Sequence, residues 1–407
     1  MVKQGYKQTE IGVIPEDWEI KKLKEVGGFL STNSLSRDKL NYNQGVFYNI
    51  HYGDIHTLFN SHFDIENELV PFINNDIKLS TINLCRIGDL IIADASENDD
   101  DIGKAIEIIN DDNKNIVAGL HTLHFRPVHQ IFYNGFLGHL WKAEFMHTNI
   151  LKEAQGTKVL GISINRLLDI QIPLLPLAEQ EAIALALSDT DAWIESLEQL
   201  IAKKHLIKQG AMQSLLTPKK DWEVKKLGEV FKLKQGVQCG IEHQLLTTKE
   251  GFKRFIRIVD LTQKNTEKRY IKDPGLEHHI SENDLFMVRY GAPGVVGYGV
   301  NGVIANNLFR LIPKIELVEL YFKYVFYFMK SYLEEISSSS TMAALNFTTL
   351  NNIDLYFPKS LSEQTRIATI LSDMDAELAA LEKQLAKARQ IKQGMMQELL
   401  TGRVRLV

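Results

Sequence analysis

Few groups of residues in this sequence have the types and spacing that catalysis or metal binding requires. His278 and His279 are adjacent, but no third ligand stands at a useful spacing, so we interpret them as a surface pair. The acidic run at 97–101 could bind a metal ion, and it fits a solvated loop better. Gly297 and Gly299 form a lone GxG, which carries negligible weight without the rest of a dinucleotide-binding motif. No catalytic constellation emerges from these groups.

Two cofactor motifs are also absent from the sequence. No GxxxxGK[ST] phosphate-binding loop occurs, so no ATP-driven motor is implied. The Asn/Asp-Pro-Pro-aromatic sequence that amino-methyltransferases use does not occur either. We therefore predict that the chain is not an enzyme and binds no cofactor or metal of its own.

The composition is that of a folded protein with more than one domain. The chain has 407 residues, of which 44% are hydrophobic and 24% are charged. Cys85 and Cys239 stand far apart, which argues against a disulfide framework and fits a reducing compartment. The first residues lack the apolar core of a signal peptide, and no apolar run approaches the roughly 20 residues of a membrane span. We expect a cytoplasmic protein with no membrane partner.

A long internal repeat organises the chain. Residues 177–217 and 361–401 align without a gap, and 23 of the 41 positions are identical. Such a period is too long for a solenoid, whose repeats run roughly 20–50 residues. It therefore predicts a duplicated half-molecule with pseudo-twofold symmetry.

Both copies of the repeat predict a long helix with a coiled-coil seam, because apolar residues recur at steps of four and three. The seam positions are Ile183, Leu187, Ile194, Leu197, Ile201, Ile367, Leu371, Met374, Leu378, Leu381 and Leu385. We expect an intramolecular antiparallel coiled coil, with two unrelated amphipathic surface helices as the alternative. Gly210 and Gly394 lie inside the helices and suggest a close helix crossing or a kink, or simply shared ancestry.

A globular segment precedes each long helix, and both segments open with related sequences at 17–23 and 221–227. Short apolar runs predict strands, and an aromatic-rich run predicts a helix; the strand examples are 90–93, 285–288 and 304–311, and the helix is 320–328. We predict an α+β protein with two similar mixed α/β domains, each with a small, partly antiparallel sheet. The predicted domains are 1–175 and 221–358, and the predicted helical regions are 176–220 and 359–407.

The order segment, helix, segment, helix resembles the specificity subunit of Type I restriction-modification systems. The sequences that carry the resemblance are the opening TEIGVIPEDW at 9–18, the junction PLLPLAEQ at 173–180 and the second junction LSEQ at 361–364. The resemblance covers the full chain and both repeats. It departs from the family at 357–360, where Phe-Pro-Lys-Ser replaces the two-proline form.

The resemblance implies a function in DNA recognition. Each globular segment would be a target recognition domain that reads one half of a split double-stranded DNA site. The helices would set the gap between the halves and dock two modification (methyltransferase) subunits, which carry S-adenosylmethionine. Restriction (nuclease/translocase) subunits, which use ATP and Mg²⁺, would join that core.

Base edges are read by Arg on guanine, by Asn or Gln on adenine, and by Ser or Thr on either. In the first domain we predict DNA contacts from Asn33, Ser34, Arg37, His51, Tyr52, Ser96, Asn98, His121, Thr122 and Thr157. In the second domain the candidates are Lys234, Gln235, Gln238, Arg257, Arg289, Tyr290, Asn306, Asn307 and Thr341. Each one singly could be an ordinary surface or turn residue. We rank Arg257 and Arg289 first.

The net charge of −5 is unfavourable for a protein that grips DNA phosphates alone. If partner subunits wrap the duplex, this chain needs to supply base readout and only part of the phosphate contact. The chain alone is then expected to bind DNA weakly or without specificity. Two alternatives remain: a stand-alone DNA-binding regulator, and a coiled-coil adaptor whose globular ends bind proteins.

Overall fold

The computed structural model describes residues 4–79, 81–263, 266–337 and 344–406. The chain divides by packing into two compact units, Met1–Glu198 with Gln384–Val407, and Gln199–Lys383. Both boundaries lie within the two long helices, so each helix gives one part of its length to each unit. Each unit therefore combines one globular domain with parts of both helices.

The first unit is built from two larger sheets, three two-stranded sheets (β1–β2, β3–β15 and β10–β14) and several helices. Its strands are β1 (Tyr6–Thr9), β2 (Gly12–Pro15), β3 (Glu19–Lys22), β4 (Gly27–Leu30), β5 (Leu40–Asn41), β6 (Tyr48–Ile50), β7 (His62–Asp64), β8 (Phe72–Ile73), β9 (Leu90–Ala93), β10 (Ala95–Ser96), β11 (Ala105–Asn110), β12 (Ile116–Ala118), β13 (Thr122–Pro127), β14 (Leu160–Gly161) and β15 (Gln171–Leu174). Its helices are α1 (Leu23–Val26), α2 (Tyr52–Thr57), α3 (Phe136–Trp141), α4 (Glu144–Glu153), α5 (Ile164–Leu168) and the start of α6 (Leu177–Leu216). The larger sheet has the order β4–β13–β9–β11–β7, and the smaller has the order β12–β6–β8–β5. β7 pairs parallel with β11, and β6 parallel with β12.

The second unit repeats this plan. Its strands are β16 (Glu223–Lys226), β17 (Phe231–Gln235), β18 (Phe252–Ile256), β19 (Arg269–Lys272), β20 (His279–Ile280), β21 (Leu285–Val288), β22 (Val296–Gly297), β23 (Gly302–Ile304), β24 (Leu308–Pro313) and β25 (Asp354–Phe357). Its helices are α7 (Leu227–Val230), α8 (Val259–Thr262), α9 (Glu319–Phe328), α10 (Lys330–Ser337), α11 (Phe347–Asn351) and the start of α12 (Leu361–Leu399). The two larger sheets have the orders β17–β24–β21–β22 and β19–β18–β23–β20, and β16 pairs with β25 in a two-stranded sheet.

The central strand β9 is buried on both faces, and its side chains alternate between two cores. Leu90 and Ile92 pack against α3 and α4, which form the helical layer of the domain, whereas Ile91 and Ala93 pack between the two larger sheets. Strand β21 divides its four side chains in the same way. Our expectation of one small sheet per domain was wrong, because a strand with four consecutive apolar residues needs cover on both faces. The run 304–311, predicted as one strand, is also two strands, β23 and β24, joined by a turn.

The long helices α6 and α12 contain 40 and 39 residues. They pack antiparallel, as predicted. In the first unit Glu198 of α6 pairs with Arg389 of α12 at 2.6 Å, and in the second unit Lys204 pairs with Glu377 at 2.6 Å. Over the ranges that the structure describes, no helix has the length and apolarity needed to cross a membrane.

The predicted seam faces inward along both helices. Six of its positions are buried and the rest are half-buried; the buried ones are Ile183, Leu187, Leu197, Ile367, Leu371 and Leu378, and the half-buried ones are Ile194, Ile201, Met374, Leu381 and Leu385. The predicted close helix crossing at Gly210 and Gly394 is wrong. Both glycines are exposed, and a Cβ at either position would meet no atom within 4 Å.

Each long helix begins with a Glu-Gln pair whose glutamine is buried. The Gln180 amide donates to the Leu175 carbonyl at 2.8 Å and accepts from the Tyr133 backbone N–H at 2.9 Å. Gln364 makes the same two kinds of bond in the second unit, both at 2.9 Å. The glutamine thus joins the start of each helix to the strand before it and to the helical layer of its domain.

Candidate nucleic-acid interface

In both units many of the predicted DNA-contacting residues gather where the strands of the two sheets end. In the first unit this edge, which we call the first rim, comprises the loops after β4, β6, β9 and β12. Two backbone bonds join these loops, from Asp94 N to His121 O at 3.1 Å and from Tyr52 N to Leu120 O at 3.3 Å. The second rim comprises the loops after β17, β18, β21 and β23 in the second unit.

Tyr52 anchors an aromatic surface in the first rim. Its ring centroid lies 4.7 Å from that of His51 and 5.2 Å from that of His121. His121 has a positive φ of 53°, its side chain is 50% exposed, and its Nδ1 lies 3.1 Å from Asp94 Oδ1. Burial lowers the pKa of His51, whose Nδ1 accepts the Gly53 N–H at the start of α2. These rings offer a face for stacking and polar atoms for hydrogen bonds.

Two other candidates of the first rim are held by neighbours. The Arg37 guanidinium donates to the buried carboxylate of Asp54 at 2.5 Å. Asn33 donates to Asn49 Oδ1 at 2.8 Å. Ser34 is exposed. Arg37 is therefore a cation with a structural partner, although nearly half of its side chain remains open to solvent.

Two hydroxyl groups that we predicted to contact DNA are used inside the first domain. Ser96 Oγ bonds both the Asn98 carbonyl and the Asn98 N–H, and Thr122 Oγ1 donates to the Gly119 carbonyl at 2.6 Å. Both side chains are buried, so they shape the loops. Asn98 and Thr157 are exposed and remain candidates.

The second rim contains a connected polar group around Arg289. Its Nη1 donates to Gln235 Oε1 at 3.0 Å, and its guanidinium lies 4.8 Å from the Phe347 ring centroid. Gln235 donates to the Asn306 carbonyl at 2.7 Å, and the Arg289 N–H donates to the Asn307 carbonyl at 2.8 Å. The stacked arginine is preorganised, and a planar guanidinium of this kind suits bidentate contact with guanine.

Arg257 differs from Arg289, although we ranked the two together. Its Nε lies 3.1 Å from Asp260 Oδ2, and its Nη2 donates to the Glu267 carbonyl at 2.7 Å. The Arg257 backbone N–H also donates to Asp260. These bonds close the loop around α8. The Arg257 side chain therefore has a structural role, and Arg289 is the better candidate for a base contact.

The remaining candidates of the second domain are dispersed. Lys234 donates to the Glu277 carbonyl. Gln238 is exposed, and Tyr290 pairs through its backbone with Ala344. Thr341 lies outside the described residues.

The sequences that match between the two domains form the frame of each domain. Asp89 accepts the Arg86 N–H at 2.8 Å and pairs with Arg126 at 2.7 Å. Asp284, its counterpart, accepts the Ser281 N–H and pairs with Arg310. The same aspartate therefore closes the turn before the central strand in both units, while the rims carry different side chains.

Charge is distributed unequally between the two domains. Residues 1–175 contain 23 acidic and 16 basic residues, whereas residues 221–358 contain 16 acidic and 17 basic residues. Phosphate contacts depend on Lys and Arg. The second domain is therefore better suited to phosphate contact than the first.

A family model, described as the Type I restriction modification DNA specificity domain, matches residues 15–204 and, in a second copy, residues 219–392. The chain belongs to this family. The chain is a specificity subunit of the Type I restriction-modification type, with two DNA specificity domains, and the resemblance stated from the sequence is confirmed.

Relatives of known name agree with this assignment. Our chain is 27% identical to the type I restriction enzyme MjaX specificity subunit of Methanocaldococcus jannaschii. The alignment spans 447 residues and covers 99% of our chain and 97% of the relative. Our chain is 26% identical to the MjaVIII specificity subunit of the same organism over 194 residues, 47% of this chain and 44% of the relative. Among solved structures, the S subunit of a Type I restriction-modification system from M. genitalium superposes with a TM-score of 0.62 at 16% identity, covering 94% of this chain and 96% of that one. The last likeness shows the fold.

Some residues around the rims and helices of the specificity subunit were missed from the sequence. Phe347, which stacks on Arg289, lies 58 residues from it in the chain. The buried Glu179 carboxylate accepts the Trp18 Nε1–H at 2.9 Å and pairs with Arg405. The only signal for the second group was the Asp-Trp and Glu-Gln sequences that occur in both copies.

Proposed function

We propose that each unit reads one half of an asymmetric, split DNA site. The observation that carries this proposal is that the two rims occupy corresponding strand ends and carry different side chains. The first rim offers Tyr52 and His121, whereas the second offers Arg289, Asn306 and Asn307. Because base edges differ in their donors and acceptors, two such rims would select different half-sites.

The long helices would set the spacer between the half-sites and dock two methyltransferase subunits. Each helix is roughly 60 Å long at 1.5 Å per residue, against roughly 34 Å for one turn of DNA. Trp193, Leu200 and Leu206 are exposed large apolar residues on α6, which supports contact with a partner. One solved structural neighbour, with a TM-score of 0.54, comes from work on complex assembly of the type I system.

The chemistry would reside in the partner subunits. The methyltransferase subunits would bring S-adenosylmethionine, and the nuclease/translocase subunits would bring ATP and Mg²⁺. The absence of a phosphate-binding loop and of the amino-methyltransferase motif from this sequence supports a non-catalytic role. The assembled complex would act on double-stranded DNA in the cytoplasm.

The test is to co-express the chain with the methyltransferase subunit of its own system and to map methylated adenines across the genome by single-molecule sequencing. We expect a split, asymmetric motif with a fixed gap. A stable complex that methylates one uninterrupted motif would contradict the two-reader proposal. Failure of the two proteins to associate would instead favour a stand-alone DNA-binding regulator.

A further inference from the structure

Three potential metal ligands from three separate elements meet in the first unit. His62 begins β7, His139 lies on α3 and Asp191 lies on α6. One ligand atom from each residue lies within 4.8 Å of the others. The two imidazole rings are 4.2 Å apart between centroids and are inclined at 61°. None of these residues belongs to the first rim, so DNA reading does not account for the group.

The hydrogen bonds leave both imidazoles able to bind a cation. His62 Nε2 lies 2.7 Å from the Gly135 carbonyl, to which it donates, so Nδ1 carries the lone pair. The only hydrogen-bond contact to Nδ1 among the described residues is a long one, 3.4 Å from Ser61 Oγ. His139 is fully buried; its Nε2 lies 3.2 Å from Ser188 Oγ, and its Nδ1 has no well-formed hydrogen bond to a residue that the structure describes. Burial lowers the pKa of both histidines, that of His139 to about 2, and so favours the neutral form of each ring. Neutral imidazole is the form that binds metals.

In the second unit a hydrogen bond takes the corresponding place. There Tyr324 of α9 donates to Asp375 Oδ2 at 2.7 Å, while Lys208 pairs with the other oxygen of Asp375. Asp191 is the repeat counterpart of Asp375, and Lys392 pairs with its Oδ1. Among the described residues, no hydrogen bond reaches Asp191 Oδ2. In the first unit the imidazoles of His62 and His139 thus lie near Asp191 Oδ2, a carboxylate oxygen that is available to bind a cation.

We propose that His62, His139 and Asp191 bind one divalent first-row transition metal ion, with Zn²⁺ the ion that fits best. Two imidazoles and one carboxylate are a common ligand set for Zn²⁺, and a fourth position is usually filled by water. Water has access because His62 and Asp191 line an open cleft of about 1220 Å³. The ion would join β7 and α3 to α6. It would therefore fasten the first recognition domain to the long helix, as the Tyr324 hydrogen bond does in the second unit.

Two nearby cations oppose this binding. Lys392 bonds Asp191, and Lys142 lines the same cleft. A metal ion would share the Asp191 carboxylate with Lys392, so removal of that ammonium group should tighten binding. This feature separates the proposed site from nonspecific binding by scattered surface histidines, which would not respond to Lys392.

The experiment uses the full chain, freed of metal with a chelator, and titrates Co²⁺ by visible absorption and Zn²⁺ by calorimetry. We expect one equivalent to bind, with His62→Gln and His139→Tyr each weakening binding about tenfold or more. His139→Tyr copies the second unit, which protects the fold, and His205→Gln on an exposed part of α6 is the matched control. Lys392→Met should tighten binding severalfold.

The proposal would be overturned by three results. They are no uptake of Co²⁺ or Zn²⁺ by the intact chain, equal binding by the intact chain and a His62→Gln/His139→Tyr double variant, and unchanged affinity in Lys392→Met. A second readout does not depend on spectra. Zn²⁺ should raise the thermal midpoint of the intact chain and leave that of the double variant unchanged, because a ligand stabilises only the state that binds it.

Discussion

Lys392 on α12 donates a hydrogen bond to the Asp191 carboxylate on α6, and the pair recurs in the second unit as Lys208 and Asp375. Both lysines belong to the Lys-Gln-Gly sequence of the repeat. Their side chains are only 12% and 16% exposed. Each pair therefore fixes the antiparallel register of the two helices at a partly buried position.

The first prediction concerns this pair. Lys392→Met should lower the free energy of unfolding by about 1–2 kcal/mol, because it leaves a partly buried carboxylate without its partner. Urea denaturation of the full chain measures the change. Lys387→Met, at an exposed position of α12, is the control and should change stability by less than about 0.5 kcal/mol. Equal effects of the two substitutions would contradict a role in register.

The second prediction concerns Arg405. It pairs with the fully buried Glu179 and with Asp17, at 2.8 Å in each case. Arg405→Ala should cost about 3 kcal/mol of stability, because an unpaired buried carboxylate remains. Arg403→Ala removes a more exposed arginine of the same segment and should cost little. A thermal melt of both variants distinguishes this ion pair from a general effect of charge.

The third prediction separates two arginines of the second domain. Arg289→Ala should relax one base position of one half-site and cost about 1–3 kcal/mol of specific binding. Arg257→Ala should instead lower stability, because it opens the loop that Asp260 closes. The methylation motif of the reconstituted complex reports the first effect, and urea denaturation reports the second. Uniform weakening of Arg289→Ala on all DNA sequences would make it a phosphate contact.

The fourth prediction tests the helices as a spacer. One heptad inserted in both helices, after Glu198 and after Lys383, keeps the seam in register. It lengthens each helix by roughly 10 Å, which corresponds to about three base pairs. We expect a methylation motif with a longer gap and unchanged half-sites. Loss of either half-site sequence in a folded complex would refute the spacer role.

The fifth prediction concerns pH and Glu107. Burial raises the pKa of Glu107 from its ordinary value of 4.5 to about 7, despite hydrogen bonds from Gly135 N and Gly138 N. When the pKa of a carboxyl group is higher in the folded chain than in the unfolded chain, the group makes its full contribution to stability below the unfolded-state pKa. That contribution is lost as the pH rises through the folded-state pKa. The loss approaches about 1.4 kcal/mol per pH unit between pH 4.5 and 7.

Glu107→Gln removes this titration. The stability of the variant relative to the natural chain should therefore rise as pH increases from 4.5 to 7 and then stay constant. Urea denaturation at several pH values measures this difference, and the comparison cancels other titrating groups. A difference that does not change with pH would show that Glu107 keeps an ordinary pKa.

The long helices could be predicted because their information is local. A heptad pattern repeated along the chain determines which face is buried, and it does so without knowledge of distant contacts. The Asp191–Lys392 pair could not be assigned, because it depends on how two segments 201 residues apart are aligned. The sequence nevertheless contained a signal for this pair, because the aspartate and the lysine are each identical in the two copies of the repeat.

The rims were harder to predict than the helices. The loops around His121 and Arg289 were located correctly at strand ends, but the role of each side chain depends on its neighbours. Arg257 and Asp260 stand three residues apart, and only the folded loop shows that they bind each other. The paired sheets were missed because β6 and β12 join across more than 60 residues, a contact that local patterns do not reveal.

The Arg405 contacts have a consequence for synthesis on the ribosome. The second unit is one continuous stretch, Gln199–Lys383, whereas the first needs both Met1–Glu198 and Gln384–Val407. The first unit thus begins before the second one along the chain and is completed after it, once a whole neighbouring domain has been translated. Until residues 384–407 have been synthesised, Trp18 and Glu179 lack the contacts that Arg405 makes with them, so the core of the first unit stays open at this place.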